Sequence, residues 1–446
     1  MEVPITMEKN TTICSIGELL VPPAMVKSNP LHATGLIFMR PHFNRATKLF
    51  LLSTLLYGFS FSVWDLFFNL YALSSGFSQE MLGLIRSATP LSALVLGLPL
   101  GLLSDRIGPR RSMLIGLTIC FTGMFFEVHL LNPNLVYLFG WIQGAGFMLY
   151  HIAQPPYIMA VSEQEHQAII FGLNFGFLTL ASTVGNLISG QIPILLERLL
   201  GFQPGSPESY RWVITAGILL AATSLIPILL LPKLQKSKPQ NPVRVPMKQM
   251  LRKLASKPIV QQLALINLIT GFGAGLLIPY INVFLRQKHA ISDNLLGIIF
   301  AASSFLVFIG SIVSPWLVKV THSRIIPTVT TQAVSIVFLL GLGFSPLLWM
   351  ALVCFLFRAV LMQMSSPLVE NFAMINSPPE EQAVITSIRG MGWQSGQALG
   401  IFVSGLVQMR YGFSPLFITT SLLYILAILL TWRHFRPTEY QHAVHN

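Results

Sequence analysis

The chain is short of charge. Asp, Glu, Lys and Arg make up 10% of its 446 residues, where a soluble domain carries about 25%. So few charges cannot cover a water-facing surface, and this leaves lipid as the solvent. Cysteine is nearly missing as well: only Cys14, Cys120 and Cys354 occur. Two of them fall inside apolar stretches and no pair has metal-ligand spacing. That excludes a disulfide framework and a cysteine metal site, and the thiols read as small buried hydrophobes. There is no G-x-x-x-x-G-K-[ST] phosphate loop. No Ser/His/Asp or metal-spaced cluster stands in a loop. The sequence therefore predicts neither an enzyme nor a nucleotide-driven pump, and it calls for no cofactor. Acids are the rarer sign, with 16 against 28 Lys and Arg and a net charge of +12. The basic residues do not form an aromatic-interleaved patch, so no nucleic-acid partner is expected. They sit at the ends of apolar stretches and in one loop, as membrane orientation requires.

Apolar length is what the chain has in abundance, with 53% hydrophobic residues. A bilayer core of about 30 Å takes roughly 20 helical residues. Twelve stretches between Leu49 and Trp432 meet that length. The expected organisation is an extension over 1–47, six helices over 48–231, a linker over 232–257, six helices over 258–433 and a tail over 434–446. The linker holds eight Lys and Arg and no acid. With both termini inside, 20 Lys and Arg fall on the inner face and 5 on the outer. That bias predicts cytoplasmic termini. Arg86, Arg358 and Arg389 remain within helices.

The two halves repeat. Gly58-Phe59 recurs as Gly271-Phe272, Asn69 as Asn282 and Gly83 as Gly297. Gly185 recurs as Gly400 and Ser189-Gly190 as Ser404-Gly405. The offset drifts only from 213 to 215, as small loop insertions produce. Six helices repeated in one orientation predict a site between the halves near the midplane. The paired small residues predict close helix packing.

Between the second and third helices stands Gly101-Leu-Leu-Ser-Asp105-Arg106-Ile-Gly108-Pro109-Arg110-Arg111. This closely resembles the G-x-x-x-D-R-x-G-R-R/K loop of the major facilitator superfamily. The resemblance implies an all-α membrane fold of twelve helices in two pseudo-symmetric six-helix bundles. It also implies that Asp105, Arg106, Arg110 and Arg111 form a latch, and that helices one, four, seven and ten line a cavity. In the second half the loop is reduced to Lys319-Val-Thr-His-Ser-Arg324, without an acid. Gln143-Gly144-Ala145-Gly146 is similar to the end of the family's R-x-x-Q-G-x-G pattern, with Gly140 in place of its Arg. Gly185-Asn186-Leu-Ile-Ser189-Gly190 is similar to the G-P-x-x-G-G of antiporters, with Asn186 in place of Pro and Ser189 in place of Gly.

An ionisable side chain inside a membrane helix is costly, at least ~2.5–3.5 kcal/mol at the centre, and so is a functional candidate. On helices implied to line the cavity these are Asp65, His151, Arg358 and Glu370, of which His151 either carries protons near physiological pH or is a hydrogen-bonded histidine inside the bundle. Asn69, Tyr157 and Asn282 are further polar contacts. By residue count Asp65 and Arg86 lie about 12 and 8 Å deep and can pair. Asp65 then either exchanges a proton tuned by Arg86 or forms a permanent ion pair. Glu370 and Arg389 match in depth as a structural or gating pair. Arg358 at mid-depth either meets Asp65 across the cavity or awaits an anionic substrate group. Glu127 is expected to reach the interface at the end of helix three.

The reading is a secondary active transporter of a small molecule, working by alternating access with proton coupling. It would be a multi-pass monomer in the plasma (inner) membrane, its partners a small-molecule substrate, protons and the lipid bilayer. The alternative is a receptor or scaffold that keeps the fold without transport.

Overall fold

In lipid every backbone N–H and C=O must be satisfied within the protein, so a chain this apolar folds as helices. The computed structural model describes residues 43–163, 166–203, 205–233, 257–375 and 379–445. Nearly all of the extension over 1–47 and of the linker over 232–257 lies outside the described residues. The first six spans are α1 (Arg45–Ser74), α2 (Gln79–Ile107), α3 (Pro109–His129), α4 (Pro133–Val161), α5 (Ile169–Leu200) and α6 (Pro207–Leu229). The second six are α7 (Pro258–His289), α8 (Asp293–Thr321) and α9 (Ile325–Phe344), then α10 (Leu348–Ile375), α11 (Pro379–Tyr411) and α12 (Ser414–His445). Among the described residues, eleven helices are long and apolar enough to cross a membrane. The twelfth, α11, has the length, at 33 residues, but carries more polar side chains.

Helix starts follow the capping residues. Asn44 accepts a hydrogen bond from the Thr47 N–H, Ser78 from Met81 and Ser292 from Leu295. Each satisfies a donor that has no intrahelical partner. Three spans are interrupted rather than continuous. α5 breaks after Ser189 and resumes at Ile192, and α6 breaks after Ala222. α7 passes through a 3₁₀ turn at Ile278–Tyr280, where Pro279 cannot supply a helical N–H.

The ends of the helices define two faces. One, called here the basic end, holds Arg45, Arg106, Arg110, Arg111, Lys319, Arg324 and Arg433. The other is the opposite end. Within the first half α1 packs on α5 and α6, and α4 on α2 and α3; within the second α7 packs on α11 and α12, and α10 on α8 and α9. Across the halves α2 meets α11 and α5 meets α8. Large apolar side chains such as Val337, Trp349 and Leu422 point outward, as a lipid-facing surface requires. At the basic end Val260, Leu263, Ile325, Phe372 and Phe435 form a buried cluster that holds the second half together.

The small residues of the repeat sit where helices touch. A Cβ on Gly83 would lie 2.9 Å from Cα of Gly405, and one on Gly190 would lie 2.9 Å from Cα of Gly297. These two crossings, α2 with α11 and α5 with α8, are related by the repeat. Gly144 faces Thr89 and Gly146 faces Cys120 in the same way, so the Gln143–Gly146 pattern brings α4 against α2 and α3.

Candidate functional site: a cavity walled by the second half

A cavity of about 550 Å³ opens between the halves. It runs from Asp65 and Ile281 toward Ile325, Phe372 and Phe435 near the basic end. Its walls come almost wholly from α7 to α12, with Asp65 of α1 as the first-half contribution. Amides from four helices, Asn267, Gln332, Gln363 and Gln397, face it, as does Trp393. Arg358, Glu370 and Arg389 supply its other charges.

The charges divide into paired and unpaired. Arg86 donates to Asp65 Oδ1 at 2.8 Å, and the Asp65 side chain is 55% exposed to the cavity. Arg389 donates to Glu370 Oε2 at 2.8 Å, with the Arg389 side chain nearly buried and Glu370 half-exposed. Arg358 is different. It is buried, its guanidinium meets the Tyr424 hydroxyl, and its Nε has no acceptor. Among the described residues no carboxylate lies within ion-pair range of it. Asp65 is engaged by Arg86, so of the two partners open to Arg358 the cross-cavity Asp65 is not the one it meets here. Its repeat counterpart Gln143 is buried in the first half, accepting a hydrogen bond from Thr89 at 2.8 Å.

Four expected cavity contacts lie elsewhere. Asn69 and Asn282 are buried at the opposite end and bond across the halves. Asn69 Nδ2 donates to the Pro279 carbonyl and to Asn282 Oδ1, and Asn282 Nδ2 donates to the Leu66 carbonyl. Tyr157 is fully buried and stacks on Phe50 inside the first half. His151 packs against Phe147 and Tyr150 with its Nε2 lacking a partner. α4 carries both residues, but its first-half neighbours enclose them and neither lines the cavity. Glu127 also departs from expectation. It does not reach the interface; it is 2% exposed, beside Gly140 of α4.

The opposite end is closed by further bonds across the halves. Tyr210 donates to Asp293 Oδ1 at 2.9 Å, and Arg286 holds the same oxygen at 3.3 Å. Gln191 donates to Asn294 and Gln79 to Gln287. The loop at 101–111 lies at the other end. Gly108 turns the chain there with a φ of 87°, in the left-handed region that glycine favours. Arg110 donates to the carbonyls of Ile228 and Leu229, the last residues of α6, where helix carbonyls run short of intrahelical donors. Asp105, Arg106 and Arg111 are exposed, and among the described residues Asp105 has no hydrogen-bond or ion-pair partner. The second half has no acid in its matching loop, yet one is supplied from α12. Glu439 accepts the Arg324 N–H and the Ser323 hydroxyl at the start of α9, where negative charge is favoured.

A chain of twelve membrane helices in two repeated bundles, with a cavity between them, is a transporter architecture. The sequence pattern of the Major Facilitator Superfamily matches residues 50–401 and 263–445. The chain belongs to this superfamily. It is a multi-pass membrane transport protein. No curated protein sequence matches it. Its fold is similar to that of a bacterial homolog of the human lysosomal transporter Spinster, solved inward-facing and unoccupied. That match has TM-score 0.70 and 14% identity, over 88% of this chain and 97% of that one. It is also similar to the nucleoside transporter NupG, at TM-score 0.69 and 13% identity over 87% and 98%. The D-xylose-proton symporter matches at TM-score 0.67 and 14% identity over 87% and 97%.

Sequence reasoning missed Asn267, Gln363, Trp393, Gln397 and Tyr424 as wall residues. A signal existed for some of them. α11 is the one span too polar to pass for an apolar membrane helix, and polar side chains in lipid must face protein or water.

Proposed function

We propose that this superfamily member carries a small organic molecule bearing an anionic group, by alternating access with proton coupling. The observation that carries the reading is Arg358. A guanidinium stays charged at any physiological pH, and a buried charge without a partner is costly. Arg358 borders the cavity with donors to spare, so a carboxylate or phosphate entering there meets a planar fork that binds it bidentately. Asn267, Gln363 and Gln397 suit hydroxyls or amides on the rest of the molecule. In this reading the structure is the inward-open state. Its opposite end is sealed, and the basic end is cytoplasmic, with the protein in the plasma (inner) membrane as a monomer.

Proton coupling rests on Asp65. It is exposed to the cavity and held by one arginine, an arrangement in which protonation releases Arg86. That the D-xylose neighbour is a proton symporter is in keeping with this. The rival reading, a receptor or scaffold without transport, is disfavoured by a cavity that keeps four charged side chains.

The test is reconstitution into proteoliposomes and uptake of a panel of carboxylates, sugar phosphates, neutral sugars and nucleosides, with and without a pH gradient. Uptake of an anion that Arg358→Gln abolishes and Arg358→Lys weakens supports the reading. Full uptake by the Gln variant removes Arg358 from the site, and no uptake of any compound favours the scaffold. Asp65→Asn is expected to abolish accumulation driven by the pH gradient.

A further inference from the structure

Behind the Asp65–Arg86 pair lies a second acid. Glu127 is on α3, two residues before its end at the closed face. It is 2% exposed, and among the described residues its Oε1 meets no hydrogen-bond donor. Among the described residues no basic nitrogen comes within ion-pair distance of it, but it stands beside the turn of α2 that carries Arg86: a Cβ on Gly140, which borders Glu127, would lie 3.5 Å from the Ile85 carbonyl and 3.0 Å from the Ala88 Cβ. α4 approaches it through Gly140, where an added Cβ would stand 3.7 Å from Oε2. The packing thus leaves the carboxyl enclosed but unpaired.

We propose that Glu127 is a proton-binding site that shares the Arg86 guanidinium with Asp65, one acid being ionised while the other holds a proton. The inference rests on the proton-coupled reading above and adds a second carboxyl to it. The argument is one of charge count. Arg86 carries one positive charge, and Asp65 already neutralises it at 2.8 Å. An ionised Glu127 would add an uncompensated negative charge in a buried place, which is far costlier than a neutral acid there. With Arg86 on Asp65, Glu127 therefore holds its proton. The other titratable groups around it do not change the count. Cys120 is a buried thiol on its own helix, and the Tyr71 hydroxyl of α1 donates to the Val128 carbonyl. Arg211 of α6 is a second cation, but it lies over the Tyr71 ring at 6.0 Å and among the described residues no carboxylate is within ion-pair distance of it; Tyr280 of α7 is a buried phenol. α4 presents Gly140 and the neutral amide of Gln143. His129 stacks on Phe125 at the outer surface.

The exchange balances. A proton from cavity water bonds to an Asp65 oxygen, and Arg86 loses its counter-charge. Glu127 is the other acid within its field. The O–H bond of Glu127 breaks, its carboxylate takes Arg86, and the proton passes to water that enters from the opposite end when the α2–α11 crossing there parts. No electron changes hands. Each half-cycle begins and ends with one ionised acid beside one arginine.

Infrared difference spectra of the purified full chain in lipid nanodiscs, without substrate, test this directly. At neutral pH the wild type is expected to show the C=O stretch of a protonated carboxyl, and ¹³C-glutamate labelling is expected to shift that band. Glu127→Gln is expected to remove it. Asp65→Asn is also expected to remove it and to raise a glutamate carboxylate band, because Arg86 then turns to Glu127. A purely structural Glu127 would not respond to a change at Asp65. A wild-type spectrum without a glutamate-sensitive band, a band that survives Glu127→Gln, or one unmoved by Asp65→Asn overturns the proposal. The labelled wild-type spectrum stands even where a variant fails to fold. Since no substrate is present, an uncoupled transporter that keeps the band overturns only the coupling reading.

Discussion

Asn69 and Asn282 hold each other's helix by the same bond. Each donates its side-chain amide to a backbone carbonyl three residues before the other, Asn69 to Pro279 and Asn282 to Leu66. The two carbonyls are themselves repeat mates at the Asn69–Asn282 offset. The pair ties α1 to α7 at the closed end, and its symmetry makes it a single seal built from two identical halves.

Removing that seal is expected to open the opposite end. Each buried hydrogen bond contributes about 0.5–1.5 kcal/mol net, so an Asn69→Ala, Asn282→Ala double variant should shift the equilibrium roughly tenfold toward parting. Spin labels at positions 80 and 411, measured by electron–electron double resonance, should show a longer-distance population. An unchanged distance distribution would count against the seal.

The glycine crossings predict a second route to the same shift. Gly83→Val places atoms where Gly405 already lies, and overpacking costs about 1–3 kcal/mol. The variant should fold, because α2 can separate from α11 without unfolding, and it should populate the parted state at the same labels. Gly297→Val should do likewise at the α5–α8 crossing. Gly172→Ala meets nothing within 4 Å and should melt at the wild-type temperature or slightly above. A Gly83→Val variant with the wild-type distances refutes the steric role.

The Glu370–Arg389 pair is unequal, and the inequality is testable. Arg389 is 8% exposed, while the Glu370 side chain is 49% exposed. Glu370→Gln leaves a buried guanidinium unpaired and should cost about 1–3 kcal/mol, below the range for a fully buried pair because water reaches the site. Arg389→Gln leaves a carboxylate that water solvates and should cost less. Thermal melting of the purified variants should rank them in that order, and the reverse order would show that Arg389 contributes mainly through packing.

Among the described residues Asp105 has no partner in this state, so Asp105→Ala should change thermal stability by no more than about 0.5 kcal/mol. If the loop latches the other state, the same variant should slow turnover in the uptake assay. Wild-type turnover with normal expression would leave Asp105 without a latch role.

Position along a helix could be read from the residues alone. Twelve apolar stretches of sufficient length, repeated at a nearly constant offset, specify twelve spans in two bundles. Depth is linear in residue number, so the Asp65–Arg86 and Glu370–Arg389 pairs were legible from counting alone. Rotation about the helix axis was not. In a soluble helix the polar stripe marks the outward face, but here lipid and bundle interior are both apolar, and the pattern carries little information about facing. Hence Asn69 and Asn282 proved to seal the halves, His151 and Tyr157 to pack inside the first bundle, and Glu127 to turn inward although its depth suggested the surface. The engagement of Asp65 by Arg86, which leaves Arg358 without a carboxylate among the described residues, is likewise a fact of three helices meeting. These contacts needed the packed bundle, because a side chain's partner in a membrane bundle is set by which neighbour its face meets.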